Sequence, residues 1–454
     1  MLKEALFGTH HDFTEGSLNT AIILLSIPMI LEMVMESLFG IVDVFFVSRL
    51  GASAVATVGY TESLLTIVFG VAIGLSMATT AFVARRFGEK DPAGAAEAAV
   101  QSIAAGLILS AVFGAIGIFQ APALLRLMGA EPAVIANVQY TRLMLGGSAV
   151  IFLLFLINAI FRGAGDASLA MRTLWLANAI NIVLDPCLIN GWGPFPHLGV
   201  FGAAVATTTG RGIGVLFQFW QLGRSRNRIV IARAQLRLNP ALMLRLLRVS
   251  ATGIVQFLVA TASWLGLVRI ISTFGAAAVA GYTIAVRMII FTILPSWGFS
   301  NAAATLVGQN LGARKPQRAE TAVYRTGWYN MLYLGLISLG FLFFPAWPVA
   351  FFTTDADVAR VAVACLSIFG IGYTSYAWGM VLVQAFNGAG DTMTPTLINF
   401  FAFWVFQIPL AYMMAIHYTL GIRGAFWAVP VADVVLTATA FYFFRRGKWK
   451  LQKI

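Results

Sequence analysis

Long apolar runs separated by short polar gaps set the rhythm of this 454-residue chain. About twelve of the runs are long enough to cross ~30 Å of hydrocarbon: 18–47, 54–84, 97–120, 134–160, 169–190, 199–222, 245–272, 278–307, 322–345, 358–385, 395–417 and 423–444. Each is predicted to be a helix, because a helix satisfies its own backbone polar groups in lipid, and nothing here shows the short alternating segments of a membrane barrel. A polar stretch, Lys3 to Asn19, precedes the first run. That run is too long for a signal-peptide core and has no cleavage pattern, so it reads as an uncleaved first span.

Composition strengthens this reading. Hydrophobic residues make up 59% of the chain, charged residues 11%, and the mean hydropathy is +0.84. A soluble domain carries roughly 25% charged residues, so water is not the main solvent. The net charge of +12 alone would suit a nucleic-acid binder, but the positions argue against one. Arg85, Arg86 and Lys90 share one polar gap, and Arg224, Arg226, Arg228, Arg233 and Arg237 another. Arg314, Lys315 and Arg318 fill a third, and Arg445, Arg446, Lys448, Lys450 and Lys453 end the chain. The alternate gaps hold only scattered bases such as Arg49, Arg126 and Arg423. This asymmetry places both termini in the cytoplasm of a multi-pass protein of the inner (plasma) membrane. Cys187 and Cys365 lie in unrelated apolar segments, and the four histidines are scattered, so neither a disulfide framework nor a metal pattern is predicted.

The second half repeats the first at an offset of roughly 224 residues. Gly51-Ala52-Ser53-Ala54-Val55-Ala56 returns as Gly275-Ala276-Ala277-Ala278-Val279-Ala280, and Pro92 as Pro316. Val83-Ala84-Arg85-Arg86-Phe87-Gly88 returns as Val307-Gly308-Gln309-Asn310-Leu311-Gly312. Phe161-Arg162-Gly163-Ala164-Gly165-Asp166 returns as Phe386-Asn387-Gly388-Ala389-Gly390-Asp391, and Gly202-Ala203 as Gly424-Ala425. Each copy holds an even number of spans, so both have the same orientation. The expected fold is therefore all-α, two parallel six-helix bundles related by a pseudo-two-fold axis along the membrane normal, with a cleft between them. Residues 1–222 form the first lobe, 223–244 a basic cytoplasmic linker, and 245–454 the second lobe with its basic tail.

Ionisable residues at membrane depth survive mainly where they face a bundle interior or a wet cavity. Span one carries Glu32, Glu36 and Asp43 within roughly 40° of one another on one helix face. Span five offers Asn178, Asn181 and Asp185 at i, i+3 and i+7. Counted along helices from the outer ends, Asp43, Asp185 and Thr207 lie at similar depths, ~10, ~8 and ~13 Å, and the geometry permits one site. Two carboxylates, an amide and a hydroxyl suit Na⁺, and close carboxylates suit a shared proton; the same groups would also serve to hydrogen-bond helices together. Glu32 and Glu36 either line an inward cavity that attracts cations or pair with a buried base such as Arg211. Glu62 reads as interfacial. Pro28 permits a kink and is a candidate hinge. In the second half, Gln256, Ala260 and Leu267 replace Glu32, Glu36 and Asp43, and no carboxylate lies between Arg360 and Asp391, which argues against a second coupling site. Tyr373, Tyr376, Trp378, Phe400, Phe403 and Trp404 are candidate aromatic walls for a cleft, packing or lipid contact being the alternative. With no phosphate-binding P-loop and no nucleophile–base pair, the chain does not read as an ATPase or another enzyme.

Pro28 through Gly51 with Val42-Asp43, the run Leu306 to Gly312 and the two Gly-Ala-Gly-Asp loops together resemble the multidrug and toxic compound extrusion (MATE) family, over about residues 17 to 445. The resemblance implies an antiporter, without organic cofactor, that exports amphipathic or cationic small molecules in exchange for H⁺ or Na⁺ by alternating access. It implies a monomer in the bilayer with no nucleic-acid partner. In the DinF-like prokaryotic subgroup, acids at the positions of Asp43 and Asp185 form the coupling site, and Asn181 and Thr207 match its remaining polar positions. Phe39 stands where that pattern commonly has a tyrosine, so a relay through that hydroxyl is not available. Glu32, Glu36, Asn178, Tyr376 and Trp404 are the candidate residues of the substrate cleft. Lipid-linked saccharide flippases share the architecture and are the alternative function, with Arg211, Arg269 and Arg287 as candidate phosphate contacts; a membrane enzyme or a structural subunit is a more distant one.

Overall fold

The computed structural model describes residues 1–8, 11–224, 228–232, 235–452 and 454. Arg226, Arg233 and Lys453, counted above among the basic residues of the loops and tail, and His10 lie outside them. The described residues form helices without strands. Twelve long ones are numbered here: α1 Leu18–Ser48, α2 Ala52–Gly88, α3 Pro92–Leu127, α4 Val138–Ala164, α5 Ala167–Asn190, α6 Val200–Leu222, α7 Pro240–Ile271, α8 Ala276–Gly312, α9 Pro316–Phe343, α10 Ala356–Ala389, α11 Met393–His417 and α12 Gly421–Arg445. Eleven are long and apolar enough to cross a membrane. The exception, α9, spends its first turns on Arg318, Glu320 and Arg325 and carries Asn330 further on, which leaves a less apolar stretch.

Several helices run past the predicted spans because polar ends are cheap outside hydrocarbon. α2 continues through Arg85 and Arg86 to Gly88, and α3 starts at Pro92, where the Asp91 carboxylate accepts the Gly94 amide at 2.8 Å. α4 breaks at Gly147. α11 is π-helical over Phe400–Gln407 and Met413–His417. The Gly-Ala-Gly-Asp loops are helix ends: Gly165 (φ +83) and Gly390 (φ +86) adopt the left-handed conformation that glycine tolerates. The amides of Asp166 and Asp391 then reach back to the carbonyls of Phe161 and Phe386.

The duplication is carried into three dimensions. α1 packs on α8 as α7 packs on α2, and α2 packs on α3 and α4 as α8 packs on α9 and α10. The contact between the halves repeats atom for atom in kind. Gly74 sits against the Ile254 backbone, and its counterpart Gly298 against Ile30, where an added methyl would meet the Ile30 nitrogen at 2.6 Å. Gly88 abuts the Gln309 carbonyl and Gly312 the Arg85 carbonyl. Small residues let helices approach closely in lipid, where burial of apolar surface drives no association.

These close approaches lie toward the end that carries the termini. At the other end Gly40, Gly51, Gly59 and Gly275 have nothing within 4 Å. The termini reinforce the closed end. Phe13 is buried, Lys315 Nζ donates to the Thr14 carbonyl at 3.0 Å, and Arg318 donates to the carbonyls of Phe13, Glu15 and Gly16. Trp449 stacks on Phe444 at 4.7 Å while Arg85 holds the Gln452 carbonyl.

A side chain at Gly88 has no room without parting the halves. Gly88→Val is expected to cost the closed contact about 1–3 kcal/mol. In a background with Cys187 and Cys365 replaced by serine, a cysteine at Leu306, fully buried in the cluster with Ile22 and Leu25, should then react about tenfold faster with a polar maleimide. Unchanged labelling would show that the halves do not separate at this end.

Candidate functional site

Helices α5 and α6 bring together three of the residues singled out in the sequence. The Asn181 amide nitrogen donates to Asp185 Oδ1 at 3.3 Å and to Thr207 Oγ1 at 3.2 Å. Their approach is set by a glycine: Gly210 of α6 lies against the Ala177 carbonyl and the Asn181 backbone. Asp43 faces this group from α1, close enough for its charge to act on Asp185. Asn181, Asp185, Thr207 and Asp43 are all buried, Asp43 at 8% exposure. Two acceptor atoms, Asn181 Oδ1 and Asp185 Oδ2, have no hydrogen-bond partner among the described residues. Buried acceptors are ordinarily paired. An all-oxygen set with open acceptors fits a proton or a hard monovalent cation. No three His, Cys, Asp or Glu side chains cluster among the described residues, so the donor set is not that of a transition-metal centre.

Glu36 and Arg211 form an ion pair at 3.2 Å, so the pairing alternative holds for Glu36. Glu32 pairs too, with a different base: Arg162 Nη1 donates to Glu32 Oε1 at 2.7 Å, and Asn158 donates to the same oxygen at 3.1 Å. Gln218 in turn donates to Asn158 Oδ1 at 2.7 Å. The cavity alternative holds as well, because Glu32 and Glu36 line a cavity of about 460 Å³ between the halves. Its walls come from α1, α2, α4 and α5 on one side and α7, α8 and α10–α12 on the other, with Gln256, Trp297, Asn301, Tyr376 and Gln384 among them. Arg211 stands between cavity and acid site: it bonds Glu36 on the wall and lies in electrostatic reach of Asp43. Its guanidinium also lies over the Phe39 ring at 5.0 Å, so an aromatic ring without a hydroxyl has a role as a face for the base.

Other candidates are placed elsewhere. Asn178 is buried and donates to the Met35 carbonyl at 3.3 Å, joining α5 to α1 rather than lining the cavity. Trp404 is likewise absent from the cavity wall; its indole donates to the Val259 carbonyl at 2.9 Å and the ring is 37% exposed. Trp378 packs against Trp328 and Tyr324. Pro28 lies within an unbroken α1, and Glu62 is exposed. Of the bases proposed for phosphate, Arg211 is ion-paired, and Arg269 and Arg287 are exposed and off the cavity wall. One group escaped the sequence reading: Asp433 on α12 is buried, in the half expected to lack a membrane-depth acid. Its signal was present, an acid alone in the apolar stretch 423–444.

The MatE family profile matches the chain twice, over residues 28–187 and 252–413, one match in each half. The chain is 28% identical to a probable multidrug resistance protein NorM of Thermotoga maritima, covering 95% of this chain and 93% of that one. It is 25% identical to a probable multidrug resistance protein YoeA of Bacillus subtilis, over 94% and 93% of the two chains. Among solved structures it resembles the outward-facing conformation of a multidrug resistance MATE family transporter, with a TM-score of 0.90 and 27% identity over 97% of this chain and 98% of that one.

The Glu32–Arg162 pair makes a measurable prediction. Glu32→Ala leaves Arg162 without its counter-charge and should lower stability by about 3–5 kcal/mol. Removing both charges together should cost much less than the sum of the single losses. Thermal melting of the two single variants and the double variant in detergent reads the coupling, and additivity would show that the pair is not energetically linked.

Proposed function

Because the chain belongs to the MATE family of multidrug and toxic-compound efflux transporters, we propose that it is a secondary antiporter that exports amphipathic cations in exchange for H⁺ or Na⁺. The observation that carries this reading is the acid pair: Asp43 and Asp185 are buried together, among the described residues without a basic residue bonded to either, beside open acceptor oxygens on Asn181 and Asp185. A proton or Na⁺ supplies the missing charge.

Residues 1–222 and 245–454 are the bodies that rock against each other, with 223–244 as connector. With the basic loops and both termini in the cytoplasm of the inner membrane, the close contacts between the halves lie on the cytoplasmic side, and we read the structure as facing outward. An ion entering from outside reaches Asp43 and Asp185 and cancels a negative charge that faces Arg211. Arg211 then turns more fully to Glu36 on the cavity wall, a change that weakens the hold of that acid on a cationic substrate. Uptake of the ion and release of the substrate are thus opposed through one guanidinium. Pro28, fifteen residues before Asp43 on α1, is the position at which that helix gives.

A saccharide-lipid flippase shares this architecture, but the bases at membrane depth on the cavity side are already bonded to Glu32 and Glu36, which leaves a phosphate poorly served.

Purified protein in proteoliposomes tests the reading with a fluorescent cation, under a pH gradient alone and a Na⁺ gradient alone. A fifty-fold ion gradient is worth ~2.3 kcal/mol, so in one-for-one exchange wild-type protein should accumulate the dye roughly fifty-fold in response to the ion it uses. Asp43→Asn and Asp185→Asn are each expected to abolish this response. Full gradient-driven transport in both variants would sink the site assignment, and no response to either ion would sink antiport.

A further inference from the structure

The cavity between the halves has a side pocket. Trp264, Tyr376 and Phe403 border both spaces, and beyond them a pocket of about 40 Å³ runs into the second half as far as Asp433. Asp433 is 7% exposed, and among the described residues no base pairs with it and no donor bonds its carboxylate. A lone carboxylate at membrane depth is costly and persists where something neutralises it.

The internal repeat says what is missing. The displacement that carries Gly202 to Gly424 carries Arg211 to Asp433, and the displacement that carries Gly74 to Gly298 carries Glu36 to Ala260. In the first half these two positions form the Glu36–Arg211 ion pair. In the second the charge sign is reversed, and the partner is reduced to a methyl group on the cavity wall. The protein supplies a counter-ion at one of two equivalent places. At the other it leaves an acid, a space and aromatic rings.

We propose that Asp433 binds the ammonium head of the transported compound, a primary or methylated alkyl amine whose apolar part lies in the cavity between the halves. The inference rests on the reading of the chain as an exporter of amphipathic cations and names the residue that selects them. One water-sized group needs roughly 10–15 Å³ measured in this way, so the pocket takes about three, the size of an amine head and not of a whole drug. The faces of Trp264, Tyr376 and Phe403 favour an organic cation. An inorganic ion would want several charged or carbonyl oxygens around it, whereas Asp433 is the one carboxylate of this lining and most of the rest is aromatic or aliphatic.

The test uses full-length protein in lipid nanodiscs, without any gradient, and a matched pair of probes: dansylcadaverine, which carries a primary ammonium, and its N-acetyl derivative, which is neutral. Wild-type protein should bind the ammonium form about tenfold more tightly, as one charge-assisted contact provides. Asp433→Asn should bring that ratio to about one, and Asp433→Glu should keep most of it. A reading that needs no variant is labelling of the native Asp433 carboxyl by a carbodiimide, mapped by mass spectrometry; the ammonium probe should protect it and the acetylated probe should not. A tenfold ratio that survives in Asp433→Asn, or equal protection by both probes, overturns the proposal. So does a ratio already near one in wild-type protein, or an Asp433→Asn variant that changes only the H⁺ or Na⁺ dependence of efflux, which would make Asp433 an ion site. The binding and protection outcomes are read at equilibrium and do not depend on gradient-driven transport, whose failure would be seen separately in proteoliposomes.

Discussion

A carboxylate carried into hydrocarbon has to find a base, a proton, an ion or water, and the interior of this protein is organised around the different ways its acids meet that requirement. Glu32 is held by Arg162 and Asn158, and Glu36 by Arg211. Those two are settled within the chain. Asp43, Asp185 and Asp433 are buried and, among the described residues, not bonded to a base. The distinction separates acids that hold helices in place from acids free to change partner. A fully paired interior would be stable and inert. Unpaired acids are tolerable only if a mobile charge completes them, which makes them suited to transport.

Much of the frame was legible in the chain because a bilayer permits few solutions: twelve apolar runs, basic residues in alternate gaps, and a repeat with the same order of landmarks. The paired turns at Gly165 and Gly390 follow directly from the repeated Gly-Ala-Gly-Asp words. The gathering of Asn181, Asp185 and Thr207 was legible from spacing and depth, since a helix fixes which residues share a face. Partner choice across helices was not. Glu32 and Glu36 sit one turn apart on one face, yet each reaches a base on a different helix, because rotation and crossing of α4 and α6 are set by packing and not by α1. Trp404 and Asn178 were misplaced for the same reason: a polar or aromatic residue at membrane depth does not announce which way its helix is turned. Asp433 was within reach of the repeat, which aligns it with Arg211, but a search for acids at positions equivalent to known acids passes over an acid equivalent to a base.

The two-fold frame explains how motion can be simple while the chemistry is one-sided. Gly74 against Ile254 and Gly298 against Ile30 are one contact used twice, and so are Gly88 against Gln309 and Gly312 against Arg85. Two equal contacts suit the proposed rocking of the halves about the axis between them, with little repacking inside each half. What the motion accomplishes depends on where symmetry fails. Glu36 and Arg211 in the first half correspond to Ala260 and Asp433 in the second, so the same place in the fold holds an ion pair on one side of the cleft and, among the described residues, an acid without a base on the other.

That asymmetry bears on how ion and substrate can exclude each other without touching. Arg211 is bonded to an acid on the cavity wall and within electrostatic reach of Asp43 in the proposed ion site. At membrane depth the field of a single charge is screened weakly, so a proton or cation arriving at Asp43 is felt at Glu36 through the base between them. The cavity then becomes less attractive to a cation on its first-half side while Asp433 is unaffected on the other. On the proposed reading a cation in the cavity feels Glu36 less once the ion has bound, and because the linkage is reciprocal such a substrate equally disfavours the ion.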